Sequence, residues 1–239
     1  MELKLDLHIH SEHSPDGCMS LPEIMERCKA AGLNGCAVCN HDRVLTETCR
    51  SDDFLLIPGI EVSTRFGHLL GLFVSQPIET KDFYEAVECI HAQGGIAVLA
   101  HPFEHHTDSA RIEPIVHLLD GVEVWNSRAE RKIANANALA EEFAQKHALR
   151  RFAGSDAHVS REIGNATIAV HADAFTLDAV KAALLQNDVT IHGHRGLARC
   201  VAMSQLTKRK KTGASPAAYI KWGLFAAKCV AQDLLKKGD

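Results

Sequence analysis

The chain begins with two histidines whose spacing suits a metal site. His8 and His10 stand in Asp-Leu-His-Ile-His, at the end of an apolar segment that starts with Leu3. Because side chains alternate between the two faces of a β-strand, the two imidazoles lie on one face. Imidazole nitrogens are common ligands of zinc and iron. The pair therefore predicts a metal site at the end of a strand.

Seven further side chains of metal-binding type follow, mostly where strands are predicted to begin or end. They are Asp16, His41, Glu61, His68, His101, Asp156 and His158. Six histidines and three carboxylates are too many for one tetrahedral site, and they suit two or three divalent ions such as Mn, Zn or Fe. Such ions generate a hydroxide near neutral pH. The sequence therefore predicts a hydrolase whose nucleophile is a metal-bridging hydroxide, with no protein nucleophile.

Apolar segments rich in β-branched residues alternate with helical patterns along the chain. This alternation predicts parallel βαβ units and an α/β fold, either a barrel or an open sheet. The carboxyl ends of parallel strands meet at one rim, where candidate ligands far apart in sequence converge. Strands are predicted at 3–8, 34–39, 54–62, 68–74, 95–100, 121–125, 151–154 and 166–170. Helices are predicted at 20–31, 80–93, 109–118, 129–147, 176–186 and 216–236.

The body of the chain and its tail differ in charge. Residues 1–203 are predicted to form one domain, and residues 204–239 a basic linker followed by a C-terminal helix. Residues 201–239 carry eight Lys or Arg and two Asp, although the formal net charge of the whole chain is −4. The helix has an apolar stripe of Ile220, Leu224, Ala227, Ala231 and Leu234. This stripe predicts packing on the body or a homodimer through the helix, and contact of the basic residues with nucleic acid stays open.

Length and composition favour a cytoplasmic protein with no membrane partner. No apolar segment approaches the roughly 18 residues of a membrane span. The first strand starts at the N-terminus and leaves no room for a signal peptide. Cys36 and Cys39 form a C-x-x-C within a predicted strand. Residues three apart in a strand point to opposite faces, which predicts core positions and not a metal site.

Six short motifs occur in a fixed order over residues 5–160. They are Asp-Leu-His-Ile-His, Asn-His-Asp, Gly-Ile-Glu-Val-Ser, His-Leu-Leu-Gly, Ala-His-Pro and Gly-Ser-Asp-Ala-His. In this order the chain resembles the polymerase and histidinol phosphatase (PHP) family of metal-dependent phosphoesterases. The resemblance implies a distorted (β/α)7 barrel, here followed by a C-terminal helical extension, with a centre of two or three metal ions.

The resemblance also implies how the nine candidate ligands divide among the ions. One ion would be held by His8, His10, Glu61 and Asp156. Glu61 would bridge to a second ion, held also by His68 and His101. Asp16, His41 and His158 would hold a third. The chain departs from the family at the second motif, where Cys39-Asn40-His41 replaces the usual Thr-Asp-His. The acidic neighbour that orients the histidine is therefore lost.

A phosphate substrate needs donors beyond the metal ions, and arginine suits this role because of its planar fork. Arg128 follows a predicted strand end and is expected to face the active rim, with Asn126 orienting it or touching substrate. Arg43, Arg65 and Arg161 lie near the motifs and are weaker candidates for substrate binding.

The predicted function is hydrolysis of a small phosphorylated metabolite. A nucleotide, a nucleoside bisphosphate or a short oligonucleotide is favoured, by analogy with small free-standing members of the family that the chain resembles. The alternatives are a histidinol-phosphate-type phosphatase and an amidohydrolase acting on a C–N bond. Amidohydrolases usually bridge their metals with a lysine, whereas Glu61 would fill that position here. A metal-binding scaffold without activity is a third class, although every candidate ligand is retained.

Overall fold

The computed structural model describes residues 1–46, 51–186 and 189–235. Its strands are β1 (Glu2–Ile9), β2 (Gly35–Val38), β3 (Leu55–Thr64), β4 (Gly67–Leu72), β5 (Ile96–Leu99), β6 (Gly121–Asn126), β7 (Arg150–Gly154), β8 (Ala166–His171) and β9 (Val189–Gly193). Its α-helices are α1 (Leu21–Ala30), α2 (Phe83–Ala92), α3 (Ala136–His147), α4 (Leu177–Leu184), α5 (Ala198–Lys211) and α6 (Pro216–Leu235).

The strands form a nearly closed barrel, which confirms the predicted α/β barrel with helices at its C-terminal end. The hydrogen-bonded order is β7-β6-β5-β4-β3-β2-β1-β8-β9. Strands β1 to β3 are parallel to one another, as are β5 to β7. β8 and β9 form an antiparallel pair that extends the sheet beside the first half of β1. All eight predicted strands are present, and β9 has no counterpart among them.

The barrel closes where the segment after β7 meets the end of β1. His10 N donates to Ala157 O at 2.8 Å, and Ile9 and Ala157 form a parallel bridge. The buried carboxylate of Asp6 accepts hydrogen bonds from Ser155 N at 2.9 Å and Gly164 N at 3.0 Å. Burial raises the pKa of Asp6 to about 6, against these hydrogen bonds. Closure therefore brings residues about 150 positions apart to the same rim.

β4 runs antiparallel to both of its neighbours, β3 and β5. The parallel βαβ units predicted from the sequence do not include this reversal. A tight turn joins β3 to β4, and Ser63 pairs with His68 across the hairpin. Because β4 is reversed, its first residues lie at the rim where β3 and β5 end. This reversal explains why His68 stands at the start of its strand.

Local sequence explains where the first two helices begin. Ser20 Oγ accepts from Glu23 N at the start of α1, as the Ser-Leu-Pro-Glu pattern predicts. Asp82 caps α2 in the same way. Buried aliphatic and aromatic side chains hold α1, α2, α3 and α4 against the sheet. Two predicted helices are shorter than expected: 109–118 forms two short 3-10 helices, and 129–147 forms a 3-10 turn and then α3.

The prediction of a basic linker after residue 203 is wrong, because this region is helical. α5 covers Ala198–Lys211, and the predicted boundary at residue 203 falls inside it. Asp233 of α6 caps this helix, because its two carboxylate oxygens accept from Ala198 N at 2.8 Å and Arg199 N at 3.1 Å. Trp222 Nε1 donates to Ala202 O at 2.7 Å and joins the two helices along their length.

α6 confirms the predicted C-terminal helix as far as residue 235, and residue 236 lies outside the described residues. Its apolar stripe does not pack on the body, since Ile220 is 70% and Leu224 72% exposed. The face that packs carries Trp222 and the buried Cys229. A homodimer through the stripe stays a prediction. Among the described helices, none is both long and apolar enough to cross a bilayer.

A substitution at the barrel closure tests this architecture. A Cβ at Gly154 would overlap the Cβ of His8 and lie 2.8 Å from its backbone nitrogen. We expect Gly154→Ala to lower the free energy of unfolding by about 1–3 kcal/mol, as overpacking does elsewhere. Gly223→Ala in α6 is the matched control, since a Cβ there meets nothing within 4 Å. Urea denaturation measures both, and equal stability of the two variants contradicts the close approach.

Candidate metal centre

The nine candidate ligands come from different strands and converge at one rim of the barrel. His8 lies in β1, Glu61 in β3 and His68 in β4. The other six lie in the segments that follow β1, β2, β5 and β7: His10, Asp16, His41, His101, Asp156 and His158. Three groups among them have ligand atoms within 4.8 Å of one another: His8–His10–Asp156, His41–Glu61–His68 and His10–His41–His158.

Glu61 stands at the middle of the cluster and is 1% exposed. Its Oε1 lies 2.8 Å from His68 Nδ1 and 3.1 Å from His101 Nε2. Its Oε2 lies 2.7 Å from His41 Nδ1 and 3.4 Å from His10 Nε2. One carboxylate thus faces imidazoles on both sides, which is the arrangement that a bridging ligand requires.

The other two carboxylates each serve one side of the cluster. Asp156 Oδ1 lies 3.2 Å from His10 Nε2 and 3.7 Å from His8 Nε2. Asp16 Oδ1 lies 3.3 Å from His158 Nε2 and 3.7 Å from His41 Nε2. These pairings place Asp156 and Asp16 beside histidines of their own predicted ligand groups, and the division of the ligands among the ions stays a prediction.

Two of the candidate ligands adopt backbone conformations that non-glycine residues rarely use. The φ of His101 is 28° and that of Asp156 is 55°. Left-handed backbone at such residues costs free energy and is found where surrounding contacts fix a functional side chain. His101 N is held by Glu123 Oε2 at 2.9 Å.

The donor set fits divalent metal ions. Two nitrogens bound at about 2.0–2.1 Å to one tetrahedral ion lie about 3.3 Å apart, and the distance from His8 Nε2 to His10 Nε2 is 3.1 Å. Asp16 Oδ1, Glu61 Oε2 and His68 Nδ1 are buried and make no hydrogen bond, although each lies within 3.3 Å of an oppositely charged or polar atom of the cluster. Such atoms are costly to bury unless something binds them. Metal ions would satisfy all three.

The carboxylates raise the pKa of several imidazoles. Burial alone lowers the pKa of His41 and His101, but Glu61 outweighs it and raises these pKa values to about 9 and about 10. Burial also opposes ionisation of His8, yet three surrounding carboxylates raise its pKa well above the usual value. The pKa of His10 is lowered well below its usual value by burial and by neighbouring imidazoles. The cluster therefore holds protons that metal ions must displace.

Comparison with known proteins identifies the family. A family model described as PHP-associated matches residues 134–189. An uncharacterised protein of Methanocaldococcus jannaschii is 32% identical over 178 residues, which cover 70% of this chain and 70% of that protein. The chain belongs to the PHP family. A 5′-3′ exoribonuclease of Haemophilus influenzae is 37% identical over 81 residues, or 30% of this PHP chain and 29% of that protein.

Solved structures share the fold of this PHP chain. A two-domain protein of Bacteroides vulgatus containing a predicted PHP-like metal-dependent phosphoesterase aligns with a TM-score of 0.64 at 20% identity, over 87% of this chain and 70% of that one. The lesion-specific Endonuclease Q of Pyrococcus furiosus gives 0.56 at 18% identity, over 80% and 58%. An amidohydrolase of Chromobacterium violaceum gives 0.52 at 19% identity, over 68% and 90%.

Glu123 is a residue of this PHP centre that sequence reasoning missed. It lies in β6, is 2% exposed, and accepts from His8 Nδ1 at 3.1 Å. With Nδ1 donating to Glu123, the neutral form of His8 has its lone pair on Nε2, the nitrogen that faces the cluster. Asn126 Nδ2 donates to the other oxygen of Glu123 at 2.9 Å. An acid inside the apolar strand Gly-Val-Glu-Val is the signal that could have found it, since buried acids need partners.

Asn40, which stands where the PHP pattern usually has Asp, lacks the negative charge but keeps a side-chain oxygen that accepts hydrogen bonds. Asn40 Oδ1 accepts from Ser11 N at 2.8 Å and from Ser14 Oγ at 3.2 Å. Ser14 Oγ in turn accepts from His10 Nδ1 at 2.9 Å and from His41 N at 3.1 Å. Asn40 thereby orients Ser14, and Ser14 fixes the tautomer in which His10 Nε2 faces Glu61 and Asp156.

A cleft of about 410 Å³ lies above the cluster, and seven of the nine candidate ligands line it. His8 and His10 are fully buried beneath. The cleft walls also carry Arg128, Arg131, Gln205 and Lys208. The last two belong to α5, the region that was predicted to be a linker.

The predicted substrate-binding residues occupy different surroundings. Arg128 lines the cleft, but Glu162 takes two of its hydrogen bonds at 2.8 and 2.6 Å. Asn126 is buried and accepts from Arg128 N at 2.9 Å, which suits orientation of that arginine. Arg65 lines a neighbouring cavity of about 180 Å³. Arg43 lines a separate cavity and Arg161 is exposed on a 3-10 turn, so neither lines the cleft.

Metal binding should tighten as the pH rises. In the metal-free protein His41 and His101 have pKa values of about 9 and about 10, so both carry protons at neutral pH. A ligating imidazole must be neutral, and each displaced proton makes the association constant rise about tenfold per pH unit below these values. Calorimetry with Mn²⁺ between pH 6 and 8, in buffers of different ionisation enthalpy, counts the protons. Binding without proton release contradicts this expectation.

Glu123→Gln should weaken metal binding about 10- to 100-fold, because residues that orient a ligating histidine commonly contribute this much. Glu113→Gln is the matched control, since Glu113 Oε2 lies 3.1 Å from His147 Nε2 away from the centre. Competition with a chelating dye measures the Mn²⁺ and Zn²⁺ affinities of both variants. Equal affinities of the two variants would contradict a role of Glu123 in metal binding.

Proposed function

We propose that the chain is a metal-dependent phosphoesterase that hydrolyses a nucleotide, a nucleoside bisphosphate or a short oligonucleotide. The observation that carries the proposal is the cluster of six imidazoles and three carboxylates at the floor of a cleft whose walls carry cations. Its buried atoms without hydrogen-bond partners fit divalent ions, of which we propose two or three, with Mn, Zn or Fe as candidates.

Charge in the cleft favours an anionic substrate. Two divalent ions among three carboxylates leave a net charge of about +1, and three ions leave about +3. A phosphate ester gains more from this field than a neutral amide does.

Divalent ions held by these nine residues would supply Lewis acidity and an activated water near neutral pH. The chain's own residues hold and orient the reacting groups. Glu123 and Ser14 fix the tautomers of His8 and His10. Arg128 lies against the cleft with its guanidinium held by Glu162, which gives it a fixed direction. A fixed cation can stabilise charge that develops on a phosphoryl group without reorganisation.

Two relatives support a nucleotide-type substrate. The Haemophilus influenzae protein is a 5′-3′ exoribonuclease, and Endonuclease Q cuts lesion-containing DNA. The substrates of both enzymes contain phosphodiester bonds. The amidohydrolase of the same fold keeps C–N bond hydrolysis as the alternative to be tested.

Release of inorganic phosphate by Mn²⁺-loaded protein tests the proposal. The panel contains mononucleotides, nucleoside bisphosphates, 5′-phosphorylated dinucleotides, histidinol phosphate and sugar phosphates, with chromatography of the dinucleotide products. We expect metal-dependent turnover in the nucleotide group. Turnover of amides alone, measured in a parallel arm, would replace phosphoester hydrolysis with amide hydrolysis.

His8→Asn should lose bound metal and lower kcat at least about 100-fold, since removal of a ligand disrupts the ion that acts as Lewis acid. His192→Asn is the matched control, because His192 is exposed on β9. Metal content by mass spectrometry and turnover are measured on both. Normal turnover of His8→Asn would overturn the assignment of His8 as a ligand.

A further inference from the structure

One wall of the cleft is a face of α5. Val201, Gln205 and Lys208 line the cleft together with Glu61 and Asp156. Their spacing of four and three residues places them on one side of the helix. α5 therefore presents the polar side chains of Gln205 and Lys208 to a molecule bound at the metal centre.

Lys208 differs from the two arginines of the cleft, because its charge is not paired with a carboxylate of the described residues. The guanidinium of Arg128 is paired with Glu162 at 2.6 Å. Arg131 Nη2 lies 3.3 Å from Glu104 Oε1. By contrast, Lys208 Nζ has no ion pair or hydrogen bond to any residue in the described part of the chain. An unpaired ammonium beside a cationic metal centre is suited to an anionic ligand.

Gln205 adds a donor beside this lysine. Its Oε1 accepts from Arg209 Nη1 at 3.2 Å. The amide oxygen is thereby engaged, and the Nε2 amino group is left to donate. An ammonium and an amide that both donate match the oxygens of a phosphate group.

Contacts with the body fix α5 over the cleft. Lys211 Nζ donates to the backbone oxygens of Glu12, Ser14 and Gly17 at 2.5, 2.8 and 2.7 Å. These residues belong to the loop that carries Asp16. The guanidinium of Arg128 donates to Ser204 Oγ at 3.3 Å. The backbone of α5, from which the Lys208 side chain extends, is therefore held beside the cleft.

We propose that Lys208 and Gln205 form an anion subsite for a second phosphate group of the substrate, apart from the phosphate that reacts at the metal centre. The subsite rests on the proposed function. Two sources share this chemistry: the second phosphate of a nucleoside bisphosphate and the next phosphodiester of an oligonucleotide. Both carry a second phosphate group, which a singly phosphorylated mononucleotide lacks.

Lys208→Met tests the subsite, and Lys210→Met is the matched control on the same helix. Both lysines are exposed, and Lys210 does not line the cleft. For Lys208→Met we expect KM to rise about tenfold for a substrate with two phosphate groups, the value of one charge-assisted hydrogen bond. KM for a mononucleotide should change less than about twofold, and kcat should be unchanged for both. Lys210→Met should change neither constant.

The experiment uses the Mn²⁺-loaded chain of 239 residues with a mononucleotide, a nucleoside 3′,5′-bisphosphate and a 5′-phosphorylated dinucleotide. The substrate whose KM rises identifies the source of the second phosphate. Equal increases for singly and doubly phosphorylated substrates would place Lys208 at the reacting phosphate and overturn the subsite. An unchanged KM for every substrate would also overturn it.

Equilibrium binding separates this inference from the proposed function. Metal-stripped protein is expected not to hydrolyse the nucleoside bisphosphate, so its affinity can be measured by calorimetry whether or not the loaded protein turns it over. Lys208→Met should weaken this binding about tenfold relative to Lys210→Met, for the same loss of one charge-assisted contact. Equal affinities of the two variants, with thermal melting curves that match, would reject the subsite even if hydrolysis is found.

Discussion

The rest of the site depends on the interaction between the buried carboxylate of Glu61 and the imidazoles around it. An ionised acid at 1% exposure is stable only when positive groups surround it. Here imidazoles approach it at 2.7 Å from His41 and 2.8 Å from His68. They hold the pKa of Glu61 well below its usual value, although burial raises it. The same surroundings suit Glu61 to the bridging role proposed above, so the electrostatic requirement of folding and the geometry of the proposed metal centre coincide.

The barrel follows from the need to bring imidazoles to Glu61 from several directions. β3 carries Glu61, and the reversal of β4 returns His68 to the same rim. Closure at Ala157 brings the segment of Asp156 beside β1. Asp6 holds that closure through Ser155 and Gly164, and it contacts His8 through the backbone nitrogen, at 3.4 Å, and not through the imidazole. An acid in the first motif thus serves the architecture, while the histidines that follow it serve the site.

Sequence patterns predicted eight of the nine strands and named nine candidate ligands, which the fold places together, because strand patterns and short motifs are both local properties. Alternation in β1 places His8 and His10 together, and short motifs mark the ends of strands. Contacts between distant residues have no such pattern, so the hydrogen bond from His8 to Glu123, 115 positions away, was missed. α5 was missed for a related reason. Its last turn is Lys-Arg-Lys-Lys, which is typical of a solvated linker, and its start is stabilised by Asp233 from α6.

The helical geometry of α5 gives different roles to lysines and an arginine that look equivalent in sequence. Each residue turns about 100° around the axis, so Lys208 and Lys211 face the body while their neighbours do not. Lys208 lines the cleft and Lys211 binds the loop of Asp16. Arg209 donates to Ala218 O and joins α5 to the start of α6. Lys210 is exposed. The positive charge of the tail is therefore partly directed at the metal centre, which is where a negatively charged substrate would need it.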